Sequence, residues 1–172
     1  MRLWASFAAG SSLGGALTGL GLALAAGLLS WLPATIRTGV LIVVVVALVV
    51  LDLVQARLRL PQRNKLIPQE VFADGLLIGI ARFGIEYGSG VRTLIPSAAS
   101  YIAASYLLLT NLDWWQTVAL GAVFGFSRTL AIAQYLLFGR PGWSDFLARH
   151  TRVLERLGSV LTAALVIVLA LA

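Results

Sequence analysis

Four ionisable side chains interrupt stretches that are otherwise Leu, Val, Ala and Gly. Arg82 and Glu86 stand four residues apart, Arg92 follows a Gly-Ser-Gly break, and Arg128 falls in the middle of a later apolar run. A guanidinium is charged at any physiological pH and offers a fork of donors matched to carboxylate or phosphate oxygens. Glu86 is the one carboxylate among them and so the candidate proton carrier. Three cations and one anion favour an anionic or zwitterionic small solute. Thr93 and Ser127, each next to an arginine, add hydroxyl donors. The candidate solute-binding set is therefore Arg82, Glu86, Arg92, Thr93, Ser127 and Arg128, with Ser97, Ser100 and Gln134 completing hydrogen bonds around them. An ionisable residue within a membrane span is by default a functional candidate. The competing reading is a structural Arg–Glu clasp between Arg128 and Glu86 that fixes helix register.

Other chemistries find little support. The chain has no cysteine, which excludes disulfides and thiolate metal sites, and His150 is its one histidine. The aspartates Asp52, Asp74, Asp113 and Asp145 are scattered, so no carboxylate cluster gathers a phosphate-bound metal. No cofactor is expected.

The elements that must position these residues are membrane helices. The 172 residues are 59% hydrophobic and 12% charged, about half the charge of a soluble domain, and the mean hydropathy is +0.92. The composition predicts a single all-α membrane domain over residues 1–172. A net charge of +6 does not point to nucleic acid, because the basic residues concentrate in two short segments between apolar runs, where they act as topology determinants at lipid head groups.

Apolar runs long enough to cross a bilayer, roughly 20 residues, cover 4–32, 38–56, 116–138 and 157–172. The first is read as a retained helix rather than a signal peptide. Its Gly10, Gly14, Thr18 and Gly15, Gly19 have the small-xxx-small spacing that lets backbones approach closely, which predicts a central helix. Gly121 and Gly125 repeat that spacing. Trp31 with Pro33, and Trp114 with Trp115, mark interfaces. The segment from Gly139 to Arg156 reads as a basic loop holding a short amphipathic helix.

Residues 68–110 decide the topology. Glu70, Asp74, Arg82 and Glu86 fall at four-residue steps, with Ile78 the only gap, and Val71, Phe72, Ile80, Phe83 and Tyr87 lie opposite, predicting an amphipathic helix over 68–87. The Gly-Ser-Gly at 88–90 breaks it and Pro96 starts another. Counting this segment as one net crossing puts Arg2 and both basic segments on one side, with Arg37 opposite. That gives five crossings, a broken or re-entrant helix around 68–110, and a cytoplasmic N-terminus in the bacterial inner membrane; six crossings is the alternative. Arg-Thr recurs at 37–38, 92–93 and 128–129, which fits an internal duplication.

The stretches "AGLLSWLPATI" (26–36) and "GSGVRTLIPSAAS" (88–100) resemble the two broken-helix motifs of the DsbD/CcdA family, in which Gly-rich lead-ins precede a proline-flanked cysteine. That family belongs to a wider group of small transporters, LysE-type exporters included, built from inverted three-helix repeats. The resemblance implies two discontinuous helices around a central site. Both cysteines are absent here, so thiol electron transfer does not carry over, and arginine and glutamate would line the site instead.

Three functions follow from these readings. The first is a transporter or permeation pathway for a small solute. The second is a non-catalytic membrane subunit or assembly factor whose glycine-rich first helix packs against a partner protein, or against another copy in a homo-oligomer. The third is an enzyme acting on lipid-linked phosphates, disfavoured by the scattered aspartates.

Overall fold

The computed structural model describes residues 2–54, 75–90, 98–110, 112–138 and 141–171. They form six helices: α1 (Arg2–Leu28), α2 (Ala34–Leu53), α3 (Leu76–Gly88), α4 (Ala99–Leu109), α5 (Trp114–Phe138) and α6 (Pro141–Leu171). No strand occurs among the described residues. In α1, α2, α5 and α6, segments Arg2–Leu28, Ala34–Leu53, Trp114–Gln134 and Asp145–Leu171 are long and apolar enough to cross a bilayer, matching the four spans read from the sequence. At 1.5 Å per residue, α3 and α4 extend only about 20 and 16 Å, short of a hydrocarbon core of roughly 30 Å.

The helix ends follow from local chemistry. Past Leu28 the chain tightens into turns, with Leu29 N–H donating to Ala26 O at 3.0 Å and Ser30 N–H to Gly27 O at 3.2 Å. Pro33, at φ −54°, then starts α2, and its carbonyl accepts from Ile36 and Arg37. α3 is shorter than the helix expected over 68–87. Gly75 precedes it at φ +103°, a conformation no helix interior contains, so the helical pattern is reset there. Residues 68–74 lie outside those described. The short amphipathic helix expected before the last span is not a separate element. Its polar residues continue without interruption into the apolar segment as the 31-residue α6, since Leu, Arg, Glu and Ala favour helix whether solvated or in lipid.

The helices sort into two compact units. One comprises Met1–Gly21, Pro61–Leu94 and Asp113–Gly139, and holds α3, α5 and most of α1. The other comprises Leu22–Leu60, Ile95–Leu112 and Arg140–Ala172, and holds α2, α4 and α6.

The first unit is held together by backbone-to-backbone contact on two faces of α1. A Cβ added at Gly10 or Gly14 would collide with the carbonyls of Ala81 or Ile85 of α3, and one at Gly15 would strike Gly121 O of α5. At Gly19 it would lie 2.6 Å from Thr117 O. The partners reciprocate, because Gly84 and Gly88 of α3 press on the backbone from Phe7 to Ser11, and Gly121 and Gly125 of α5 press on Ser11 to Gly19. Such spacing permits Cα–H···O contacts and close van der Waals packing, which drive helix association where the hydrophobic effect is absent. Interhelical hydrogen bonds add to it: Ser11 Oγ donates to Gly125 O at 2.7 Å and Ser6 Oγ to Leu77 O at 2.8 Å. The expected central, closely packed first helix is what this unit contains.

The second unit packs by side chains. Leu41 and Val45 of α2, Ile102 of α4, and Ala163 and Val166 of α6 form a buried cluster with Ala98. Outside both cores, large apolar side chains remain exposed along the long helices, among them Leu17, Leu24, Val43, Val50, Val123, Leu161 and Val168. Apolar surface this extensive is what a bilayer covers.

Candidate functional site

Three helices of the first unit bring two of the four sequence-selected charges, Arg128 and Glu86, to the carbonyl end of α3. Tyr87, in its last turn, has its ring fixed from two sides. Phe83 stacks on it at 6.1 Å from one turn back, and Phe7 of α1 lies 5.5 Å away. Arg128 of α5 places its guanidinium carbon 4.6 Å from the Tyr87 ring centroid and 5.8 Å from that of Phe124. Over a desolvated ring such a cation gains about 0.5–2 kcal/mol. Beyond Tyr87 the chain turns at Gly90, with φ +70°. A Cβ there would come within 3.3 Å of Arg128 Nη1. Gly90 thus does two things: it takes the left-handed conformation a side chain resists, and it leaves the space the guanidinium occupies.

A buried helix end normally calls for donors to its last carbonyls. Here the chain supplies several of them from neighbouring residues and from α1. Ser89 N–H donates to Ile85 O at 3.0 Å and Gly90 N–H to Tyr87 O at 3.4 Å. Ser89 Oγ donates to Glu86 O, and Thr18 Oγ1 of α1 to Ser89 O, each at 2.9 Å.

The remaining candidates distribute as follows. Glu86 is half-buried on α3, one residue before Tyr87, with its Oε2 atom shielded from solvent. Arg82, one turn earlier, is exposed. Ser127 is exposed too, and its hydroxyl donates to Phe124 O of its own helix at 2.7 Å. Gln134 is half-buried on α5, and Ser100 belongs to α4 in the second unit. Arg92, Thr93 and Ser97 lie outside the described residues.

Sequence reasoning did not select Arg37 for the site, using it as a topology charge and as part of the Arg-Thr recurrence. It sits in the first turn of α2 at 7% exposure, a buried arginine in the second unit. Its signal was the shared Arg-Thr dipeptide, for Thr129 beside Arg128 is fully buried as well. The aromatic support at Phe7, Phe83 and Tyr87 was also missed, although Phe83 and Tyr87 stand one turn apart.

No protein-family model matches the chain, and neither does any curated protein or solved structure. The functional reading rests on the molecule's own geometry.

Proposed function

We propose that this is an integral membrane transporter for a small anionic or zwitterionic solute, with Arg128 and Glu86 as the charged core of its site. The observation that carries the reading is the placement of Arg128. It lies within an apolar span, on the Tyr87 ring and against the glycine turn at the end of α3. An arginine within an apolar span brings a permanent charge and a fork of donors suited to anion chemistry.

The partition of helices supports the repeat architecture of DsbD/CcdA- and LysE-like transporters. Exchanging α1 with α4, α2 with α5 and α3 with α6 turns the set α1, α3, α5 into α4, α6, α2. That is the helix content of the other unit. A 3+3 duplication has this property, and α2 and α5, which exchange under it, each carry an Arg-Thr pair, though at different distances from the helix start. The short α3 would then be the broken segment at the site, and the basic segments would share the cytoplasmic side with the N-terminus.

The partner-subunit reading loses its main surface, since Gly10, Gly14, Gly15 and Gly19 are already taken by α3 and α5. For the lipid-phosphate enzyme, no group of three His, Cys, Asp or Glu suited to a metal occurs among the described residues.

The test is flux in proteoliposomes using radiolabelled acetate, phosphate, glycine and lysine as separate probes. Saturable uptake of an anion or zwitterion by the parent, lost in folded Arg128→Gln and reduced in Glu86→Gln, is the expected result. Uptake unchanged in both variants, or no uptake of any probe, would sink it.

A further inference from the structure

The first half of α6 carries a second set of charges, in the unit that does not hold the proposed solute site. At about 46 Å, α6 is longer than a hydrocarbon core of roughly 30 Å, so about ten of its residues must leave the core or be accommodated by tilt. Its Asp145–Arg156 stretch is the polar part. At about 100° per residue, Arg149, Arg152 and Arg156 fall within an arc of about 60°. The same arc, continued towards the C-terminus, carries the buried Ser159 and Ala163. The arginines therefore lie on the face by which α6 packs on its own unit, at the α2 end that Arg156 touches. Arg156 Nη2 donates to Leu53 O of α2 at 3.2 Å, which fixes the end of the stripe; Arg149 and Arg152 are exposed.

Immediately beside this cationic arc runs an apolar one. Val153, Leu157 and Val160 are exposed there, and the strip continues through Leu161 and Val168 down the span. Cations at one end of an exposed apolar strip match a molecule with a phosphate at one end and a chain at the other. A free phosphate would use only the first half of that surface.

We propose that this face of α6 binds one anionic phospholipid, its phosphate against Arg149 and Arg152 and an acyl chain along Val153, Leu157 and Val160. The local charges are mixed. Asp145 shares the arginine arc, and Glu155 lies within electrostatic reach of Asp52 and Arg152. α4 contributes only the tyrosines Tyr101 and Tyr106 as ionisable groups. Across Asp145–Arg156, three arginines outnumber two carboxylates, and Arg156 keeps its charge while donating to the neutral Leu53 carbonyl. The two exposed arginines thus provide the attraction for phosphate.

The experiment compares the parent with Arg149→Gln/Arg152→Gln in nanodiscs mixing phosphatidylcholine and phosphatidylglycerol. Phosphatidylglycerol retained after extraction into detergent is read by native mass spectrometry. The parent should retain phosphatidylglycerol in preference to phosphatidylcholine. The double variant should lose roughly twentyfold of that preference, and Arg149→Gln alone roughly fivefold, as expected for one surface cation each. Both sites are exposed, and helicity by circular dichroism checks the fold; the single variant carries the test if the double one does not fold. Equal retention by parent and variant overturns the proposal. So does thermal protection by inorganic phosphate alone that phosphatidylglycerol does not exceed, since the apolar strip would then play no part.

Discussion

Replacing Gly88 or Gly15 by alanine tests the glycine contacts that organise the first unit. A methyl at Gly88 would sit 2.5 Å from the Ser11 carbonyl carbon and 2.6 Å from its Cα, besides colliding with its oxygen. Ordinary carbon contacts are about 3.5–4.0 Å, so α1 and α3 must part by about 1 Å. Both sides of that contact are backbone, with no rotamer to swing away. Overpacking of this kind costs about 1–3 kcal/mol. Separation also strains the Ser6-to-Leu77 and Thr18-to-Ser89 hydrogen bonds, each worth about 0.6 kcal/mol in membrane proteins. The sum is about 2–4 kcal/mol. Gly15→Ala does the same between α1 and α5, where Gly125 N and Cα would be 2.8 and 2.9 Å away. Gly27→Ala and Gly21→Ala supply the control, because nothing lies within 4 Å of either added methyl. There the higher helix propensity of alanine should leave stability unchanged or raise it by up to about 1 kcal/mol. Reversible unfolding in mixed micelles, followed by circular dichroism, measures all four. The reasoning fails if Gly88→Ala is as harmless as Gly27→Ala.

Three further outcomes are expected under the same assay. Ser11→Ala removes a fully buried hydroxyl from Gly125 O and should cost about 0.6–1.7 kcal/mol. Tyr87→Leu should cost about 0.5–2 kcal/mol through the lost cation–π contact, whereas Tyr87→Phe, keeping the ring, should stay near the parent; equal losses would refute the contact. Ile102→Ala, at a fully buried position in the second unit, should cost about 2–5 kcal/mol, while a truncation at exposed Val43 should cost well under 1 kcal/mol.

What the sequence discloses and withholds has physical reasons. The spans were legible because a bilayer demands long uninterrupted apolar runs, and α1, α2 and α5 begin and end within a few residues of the runs that announce them. The tight packing of α1 was legible because Gly10, Gly14, Gly15 and Gly19 leave little else for such spacing to do. Their partners were half-legible. Gly121 and Gly125 stood out, while Gly84 and Gly88 were hidden by the charges around them. Where α3 begins was not legible, since four-residue periodicity runs straight through Gly75 and only its positive φ breaks it. The sorting into odd and even helices was invisible, because spacing tells which face is small and not which helix meets it. At the site, the arginines announced themselves by their surroundings; that Arg128 rests on Tyr87 beside Gly90 required three helices to be placed.

The alternation of helices between the two units also bears on how the chain is made. Neither unit can be completed by a contiguous stretch of polypeptide. The first waits for α5, and the second for α6. Through most of synthesis the membrane holds two partial assemblies whose glycine-faced or apolar surfaces lack a third member. A polypeptide ending after α4 would have two of three helices in each and a finished version of neither. A stop before α5 therefore leaves both units short of a helix, and a stop between α5 and α6 completes the first while the second still lacks its third member.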